Sequence, residues 1–188
     1  MKVAKVVLAS DPISEFEYQW RERGWDSAAP GVQTVMALFR SSRLLSNRID
    51  LVLRPLDLTF ARYKVLMTLS FCNSGALPIF KIGDLLQVDP SSISSAMDRL
   101  VISGFAERIP DREDGRVVHA SITKAGKAQA NEGAKRLTVE VFERLGISDP
   151  ELQQLRSVLR AFRLNAGDFA SSGVLESPLL DSSPTAQS

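Results

Sequence analysis

The sequence is poor in the residues that build disulfide-bonded and metal-bound sites. Its 188 residues include one cysteine, Cys72, and one histidine, His119. A single cysteine excludes an internal disulfide framework, and neither residue has neighbours at the spacing of zinc ligands. We therefore expect no metal and no cofactor. A lone cysteine with apolar neighbours is usually inert core, and a redox-sensing thiol is the alternative at this position.

Net charge and long apolar runs are also lacking. Lys and Arg total 23 against 22 Asp and Glu, a net charge of +1, so any surface that attracts nucleic acid must be local. The apolar run at residues 6–9 is too short for a signal peptide, and no stretch is long enough to span a bilayer. With 44% hydrophobic residues, we expect a cytoplasmic protein that holds one domain with a sizeable core.

The motifs of the common catalytic sites are missing too. The sequence contains no glycine-rich phosphate loop and no G-x-S-x-G nucleophile turn. His119 falls within a predicted strand, so a catalytic triad that combined it with Ser94 or Ser95 would arise only by accident. We therefore expect that the chain is not an enzyme.

The first third of the chain is predicted to be helical after an irregular start. Residues 1–31 are interpreted as an N-terminal extension with one short helix, closed by the breaker pair Pro30-Gly31. Apolar residues then recur at helical spacing over 32–57 until Pro55 stops the run. Thr59 is the predicted N-cap of the next helix.

The last third is predicted to contain two more helices, over residues 124–168. Thr123 is the expected N-cap of the first, which should run to about residue 145, and Ser148 begins the second. Residues 169–188 are rich in serine and proline, and we expect them to be a disordered tail.

The middle of the chain, residues 58–123, begins with the helix capped by Thr59 and then predicts two short helices followed by a β-hairpin. Asp89-Pro90 offers a cap and a first-turn proline for a helix over 91–103. Its apolar stripe is Ile93, Ala96, Met97, Leu100 and Val101. Strands are predicted at 105–109 and 117–122, on either side of a charged turn. The expected fold is mostly α with a small β-hairpin wing, a winged helix-turn-helix.

The polar face of that helix suits the major groove of DNA, because small hydrogen-bonding side chains let a helix approach the base edges closely. Arginines at the hairpin tip suit the minor groove, where negative potential attracts a guanidinium. The candidate DNA-binding residues are Ser91, Ser92, Ser94, Ser95, Asp98, Arg99, Arg112, Asp114 and Arg116. We expect Ser91 and Ser92 to dock on phosphate and Arg99 to reach a phosphate or a guanine.

Each of these signals also has an ordinary structural explanation. A serine-rich helix face is more often solvated surface, and turns collect Asp, Gly and Arg routinely. The order and spacing of the elements together favour DNA binding. The alternative function is a winged helix that binds another protein without specific DNA binding.

These motifs resemble the MarR family of bacterial transcription regulators over about residues 32–162. LTFARYKVL from Leu58 and VDPSSI from Val88 are similar to the family's helix starts. The wing pattern is carried by Asp98, Arg99, Leu100, Gly104, Arg108, Asp111, Asp114, Arg116, Ile122 and Thr123. Gly115, where many members carry arginine, and the extension before Val32 depart from the family pattern.

The resemblance implies a homodimer that represses transcription from a pseudo-palindromic operator in double-stranded DNA. The helices over 32–57 and 124–168 would form the dimer, with half-sites one helical turn apart, roughly 34 Å. Family members usually release DNA when a small aromatic or phenolic effector binds between these helices and the winged domain. By this analogy the candidate effector-binding residues are Phe39, Arg43, Tyr63 and Met67, although core packing is an ordinary role for them.

Overall fold

The computed structural model of the protein describes residues 8–111, 114 and 117–170. The chain divides into two compact units, one up to Arg48 and one from Ile49, and each is described separately. The predicted tail beyond residue 170 lies outside the described residues, as do Arg112 and Arg116. Over the described part of the chain, no helix combines the length and the apolar character needed to cross a membrane.

The first unit contains helix α1 (Pro12–Glu22) and the beginning of helix α2 (Ala29–Leu53). The Asp11 side chain caps α1 by accepting a hydrogen bond from the Ile13 amide at 3.0 Å. The predicted short helix is thus confirmed. The prediction that Pro30-Gly31 closes the extension is wrong, because α2 already includes both residues. Proline is tolerated in a first helical turn, where its missing N–H has no intrahelical acceptor.

Apart from one short strand, the second unit follows the predicted order of helices and hairpin strands. After α2 and a 3₁₀ turn (Arg54–Leu56) come α3 (Phe60–Phe71), β1 (Ala76–Pro78), α4 (Ile79–Leu86), α5 (Pro90–Ile102), β2 (Ala106–Pro110), β3 (Val118–Ile122), α6 (Lys124–Glu140), a second 3₁₀ turn (Phe142–Arg144) and α7 (Asp149–Asn165). The predicted caps are confirmed, since the Thr59 hydroxyl accepts from the Arg62 amide and the Thr123 hydroxyl from the Gly126 amide.

Helix α6 is shorter than expected. The sequence predicts a helix to about residue 145, whereas α6 ends at Glu140 and the 3₁₀ turn follows. The buried Val141 leaves helical geometry, with φ −123° and ψ −60°, and this interrupts the helix. The start of α7 matches the prediction and has a capping box, in which Glu151 accepts from the amide and hydroxyl of Ser148.

The hairpin is part of a three-stranded antiparallel sheet in the order β1-β3-β2. Ala120 of β3 lies opposite Leu77 of β1 and Arg108 of β2. Strand β1 was not predicted, because three residues ending in a proline carry too little alternation to signal a strand. The wing therefore has a third strand that fixes it to the rest of the unit.

One continuous apolar core joins α3, α5, α6 and the sheet. Ile93, Ala96, Met97 and Leu100 of α5 are buried as predicted, whereas Val101 is 39% exposed and is not part of the stripe. Gly126 lets α6 approach the connection between α5 and β2, because a Cβ at this position would collide with the carbonyl oxygen of Phe105.

Candidate nucleic-acid interface

The first turn of α5 is organised by one carboxylate. Asp89 is the N-cap, and its Oδ1 accepts from the Ser92 amide at 3.0 Å and from the Ser91 hydroxyl at 2.6 Å. Its Oδ2 accepts from the Ser92 hydroxyl at 2.6 Å. These hydrogen bonds, chiefly those from the hydroxyl groups of Ser91 and Ser92, hold the pKa of Asp89 well below its usual range. The cap is therefore charged at neutral pH.

This arrangement changes what Ser91 and Ser92 can do. Both hydroxyl protons are directed at Asp89, so in this conformation neither is directed at a phosphate oxygen. Each hydroxyl oxygen keeps lone pairs that can accept a hydrogen bond from a base amino group. Phosphate docking through these two hydroxyls would require them to rotate away from the cap, and the Ser92 amide is also engaged by Asp89. Phosphate docking by the two serines stays a prediction.

A clamp holds the middle of α5 to the wing. Nη2 of Arg108, on β2, lies 2.7 Å from Oδ1 of Asp98 and also donates to the Ser94 carbonyl oxygen at 3.2 Å and its hydroxyl at 3.4 Å. The pair is partly exposed, with side-chain exposures of 35% for Arg108 and 63% for Asp98. Asp98 and Ser94 are therefore the points on α5 that Arg108 connects to the hairpin. Their direct contact with DNA stays a prediction.

The remaining predicted residues of α5, Ser95 and Arg99, are exposed. Both line a surface groove of about 650 Å³ between α5 and the start of α3. Ser91 and Ser92 line the same groove. The structure therefore brings four of the predicted DNA-binding side chains to one continuous surface.

The turn between β2 and β3 is closed by hydrogen bonds around Asp111. Its Oδ2 lies 3.0 Å from Nε2 of His119, and its Oδ1 accepts from the Asp114 amide at 3.0 Å. The backbone of Val117 donates to Asp114 and accepts from Asp111. Asp114 thus belongs to the turn that joins β2 to β3. The proposed minor-groove arginines, Arg112 and Arg116, lie outside the described residues.

The candidate effector residues have different surroundings. Phe39 and Arg43 are exposed on α2, in the first unit. Tyr63 of α3 is buried, stacks on Phe60 with centroids 6.5 Å apart, and has its pKa raised by burial. Met67 is half-buried beside the core. Effector binding by these four residues stays a prediction.

Two features of the second unit were missed by sequence reasoning. The contact between Arg108 and α5 could not be predicted without knowing that β2 returns beside α5. In the sequence, Arg108 was recognised only as part of the wing pattern. Asp57 and Arg62 line the groove together with Arg99. In the sequence, however, Asp57 lies just before α3 and Arg62 lies in its first turn. A search for charged residues at the predicted start of α3 would have found both.

Helices α4 and α5 are joined by a tight turn in which Gln87 adopts φ 49°, and an antiparallel hairpin follows them. This order of elements defines a winged helix-turn-helix protein. The family model described as MarR family matches residues 58–118, from the residues just before α3 to the first residue of β3.

Solved structures and curated relatives agree with this match. The MarR family transcriptional regulator Sco5413 from Streptomyces coelicolor is 34% identical, with a TM-score of 0.69 over 74% of this chain and 97% of that one. The HTH-type transcriptional regulator SarZ from Staphylococcus aureus is 28% identical over 73% of this chain and 91% of its own length. The chain belongs to the MarR family of transcription regulators.

A third comparison concerns a protein–DNA complex. A mutant of MarR from Escherichia coli, in complex with operator DNA, is 23% identical with a TM-score of 0.65, over 73% of this chain and 98% of that one. At this identity the likeness shows the shared fold.

Proposed function

We propose that the chain binds a pseudo-palindromic operator as a homodimer and represses the genes beside it. Helix α5 would enter the major groove with Ser91, Ser92, Ser95 and Arg99, and the wing would contact the minor groove. The observation that carries the proposal is the exposed serine and arginine surface of α5, which the Arg108 clamp holds to the wing. A fixed angle between helix and wing lets both reach one face of a duplex.

Exposed apolar side chains support the homodimer. Helix α7 contains no buried residue, and its Leu155, Val158 and Phe162 are 43%, 60% and 64% exposed. In the first unit, Phe39 on α2 is 75% exposed. An exposed apolar stripe such as that of α7 marks an interaction site, and symmetric dimers are the commonest closed assembly. A dimer would also supply the second recognition helix that a pseudo-palindrome needs.

Titration of labelled duplex at several salt concentrations tests DNA binding. We expect an affinity that falls steeply with salt, because lysines and arginines displace counterions from the phosphates. Arg99→Ala should weaken binding to all sequences if Arg99 contacts phosphate, and a changed base preference would indicate a guanine contact. Salt-insensitive or absent binding would favour the protein-binding alternative.

Operator recognition and repression need separate measurements. Selection of bound fragments from genomic DNA should yield a two-fold repeated motif, with half-sites one helical turn apart. A reporter gene placed behind such a fragment should be transcribed less when the protein is present. Enrichment of unrelated fragments would contradict sequence-specific recognition, and increased transcription would contradict repression.

A further inference from the structure

The groove beside α5 contains charges that the predicted DNA-reading surface does not use. Its two walls come from the segment before and within α3 and from α5. The lining residues are Asp57, Thr59, Ala61, Arg62, Ser91, Ser92, Ser95, Ala96 and Arg99. Arg62 and Arg99 are the two cations of this lining, and Asp57 is its one anion.

Arg62 is held in the groove by weak interactions. Its side chain is 18% exposed, its Nε lies 3.4 Å from the Thr59 hydroxyl, and its Nη1 lies 3.7 Å from Oδ1 of Asp57. Both separations are long for charge-assisted hydrogen bonds, which are usually about 2.7–2.9 Å. A guanidinium has five N–H donors in a planar fork that matches phosphate. Arg62 thus lies beside the groove, and a phosphate could replace Asp57 as the partner of its guanidinium.

Asp57 is fixed at the same place by the backbone and by α5. It adopts a left-handed conformation, with φ 53°, after the 3₁₀ turn. Its Oδ2 accepts from the hydroxyl of Ser103, the C-cap of α5, at 3.0 Å. The carboxylate therefore places a negative charge on the groove and competes for the guanidinium of Arg62.

We infer that this groove holds one phosphate of the DNA backbone between Arg62 and Arg99, and that Asp57 limits its affinity. The inference rests on the proposed DNA binding. It adds Arg62 as a second phosphate-binding side chain and Asp57 as a carboxylate that weakens phosphate binding. Charge complementarity supports it, since the two arginines outnumber the single carboxylate. A bound phosphate would take Arg62 from Asp57 and leave Asp57 joined to Ser103.

The first test uses a mixed-sequence DNA duplex, because a phosphate contact carries no base preference. Arg62→Ala should weaken binding about fivefold and lower the slope of log affinity against log salt by about one per protomer. Arg156→Ala is the matched control, since it removes the same charge from an exposed arginine on α7, and it should leave both quantities unchanged. Equal effects of the two variants would overturn the inference.

The second test separates phosphate binding from a structural role of the Arg62–Asp57 pair. Asp57→Asn keeps a side chain that tolerates the left-handed backbone and can still bond Ser103. It removes the opposing charge, so we expect binding about threefold tighter. A structural role predicts the reverse, because breaking the pair would then loosen the surface. Unchanged or weaker binding by Asp57→Asn would overturn the role given to Asp57.

These tests also distinguish the inference from the function on which it rests. If the unmodified protein shows no salt-dependent DNA binding, the proposed function itself fails. If it binds and Arg99→Ala weakens that binding while Arg62→Ala does not, the function stands and the phosphate site is wrong. Thermal unfolding of each variant should match the unmodified protein within a few degrees, which excludes misfolding as the cause.

Discussion

Helices α5 and α7 arise from the same sequence pattern and have opposite surroundings. Each begins with proline in its first turn after a capping residue, and each carries an apolar stripe at helical spacing. In α5 the stripe is buried, and Leu100 is fully inaccessible. In α7 no residue is buried, and Phe162 is 64% exposed. An apolar stripe therefore predicts which face of a helix needs cover, but not whether the cover lies in the same chain.

This difference in burial also indicates different roles for the two helices. Packing on the core and the Arg108 clamp fix α5, so its polar face can be held in one orientation for DNA. The apolar face of α7 has no such cover within its own unit, and the proposed homodimer would supply it. Substitutions in α5 should therefore act on folding and DNA binding, whereas substitutions in α7 should act on association.

The largest difference should come from the two apolar stripes. Leu100→Ala would leave a cavity in the core and should lower the free energy of unfolding by about 3 kcal/mol, independent of protein concentration. Val158→Ala, on the exposed stripe of α7, should cost less, and its cost should depend on protein concentration because association contributes to it. Urea denaturation at two protein concentrations measures both. Equal losses of unfolding free energy that do not depend on protein concentration would contradict the difference drawn between α5 and α7.

The next effect concerns association itself. Phe162→Ala should weaken the dimer by about 2 kcal/mol, a rise of roughly thirtyfold in the dissociation constant, because a large apolar anchor is removed. Sedimentation equilibrium measures the constant, and circular dichroism should show unchanged helix content. Gln153→Ala, on the other side of α7, is the control. A protein that is monomeric at micromolar concentration before any substitution would contradict the dimer.

A smaller effect distinguishes two arginine–aspartate pairs. Arg108 contacts Asp98 on α5 at 2.7 Å, and Arg163 on α7 contacts Asp168 at 2.6 Å. Arg108→Ala should weaken binding of a duplex about fivefold, because α5 is released from the wing. Arg163→Ala removes an equal charge and an equally short pair, and it should leave the affinity unchanged. The two variants should differ in a fluorescence anisotropy titration, and similar losses would mean that only net charge matters.

Local signals in the sequence predicted most of the second unit. Thr59, Asp89 and Thr123 each marked a helix start correctly, because a capping side chain acts on amides within three residues of itself. The strand β1 was missed because it is defined by pairing with β3, more than forty residues further along the chain. The break at Val141 was missed for a similar reason, since this residue is held in the core by tertiary packing.

The site was predicted in part for the same physical reason. The serine face of α5 and its apolar stripe follow from positions within one helix. The clamp from Arg108 to Asp98 and the approach of Arg62 to the groove require contacts between elements that are distant in sequence. Sequence patterns give the face that a side chain occupies, whereas its partner depends on how the elements pack.

The smallest expected effect compares the caps of the two helices under acid. The pKa of Asp89 is lowered chiefly by the Ser91 and Ser92 hydroxyls, and that of Glu151 by the Ser148 hydroxyl and amide. Both caps stabilise fully above the ordinary carboxyl pKa of about 4 and lose that contribution as pH falls through the lowered value.

Asp89→Asn and Glu151→Gln should therefore each lower the Tm by about 3 °C at neutral pH and make no difference in strong acid. The loss should extend to lower pH for Asp89, because three hydrogen bonds stabilise its charged form against two for Glu151. Thermal unfolding followed at a series of pH values measures this. A difference between Asp89→Asn and the unmodified protein that persists unchanged into strong acid would show that the cap does not act through its charge.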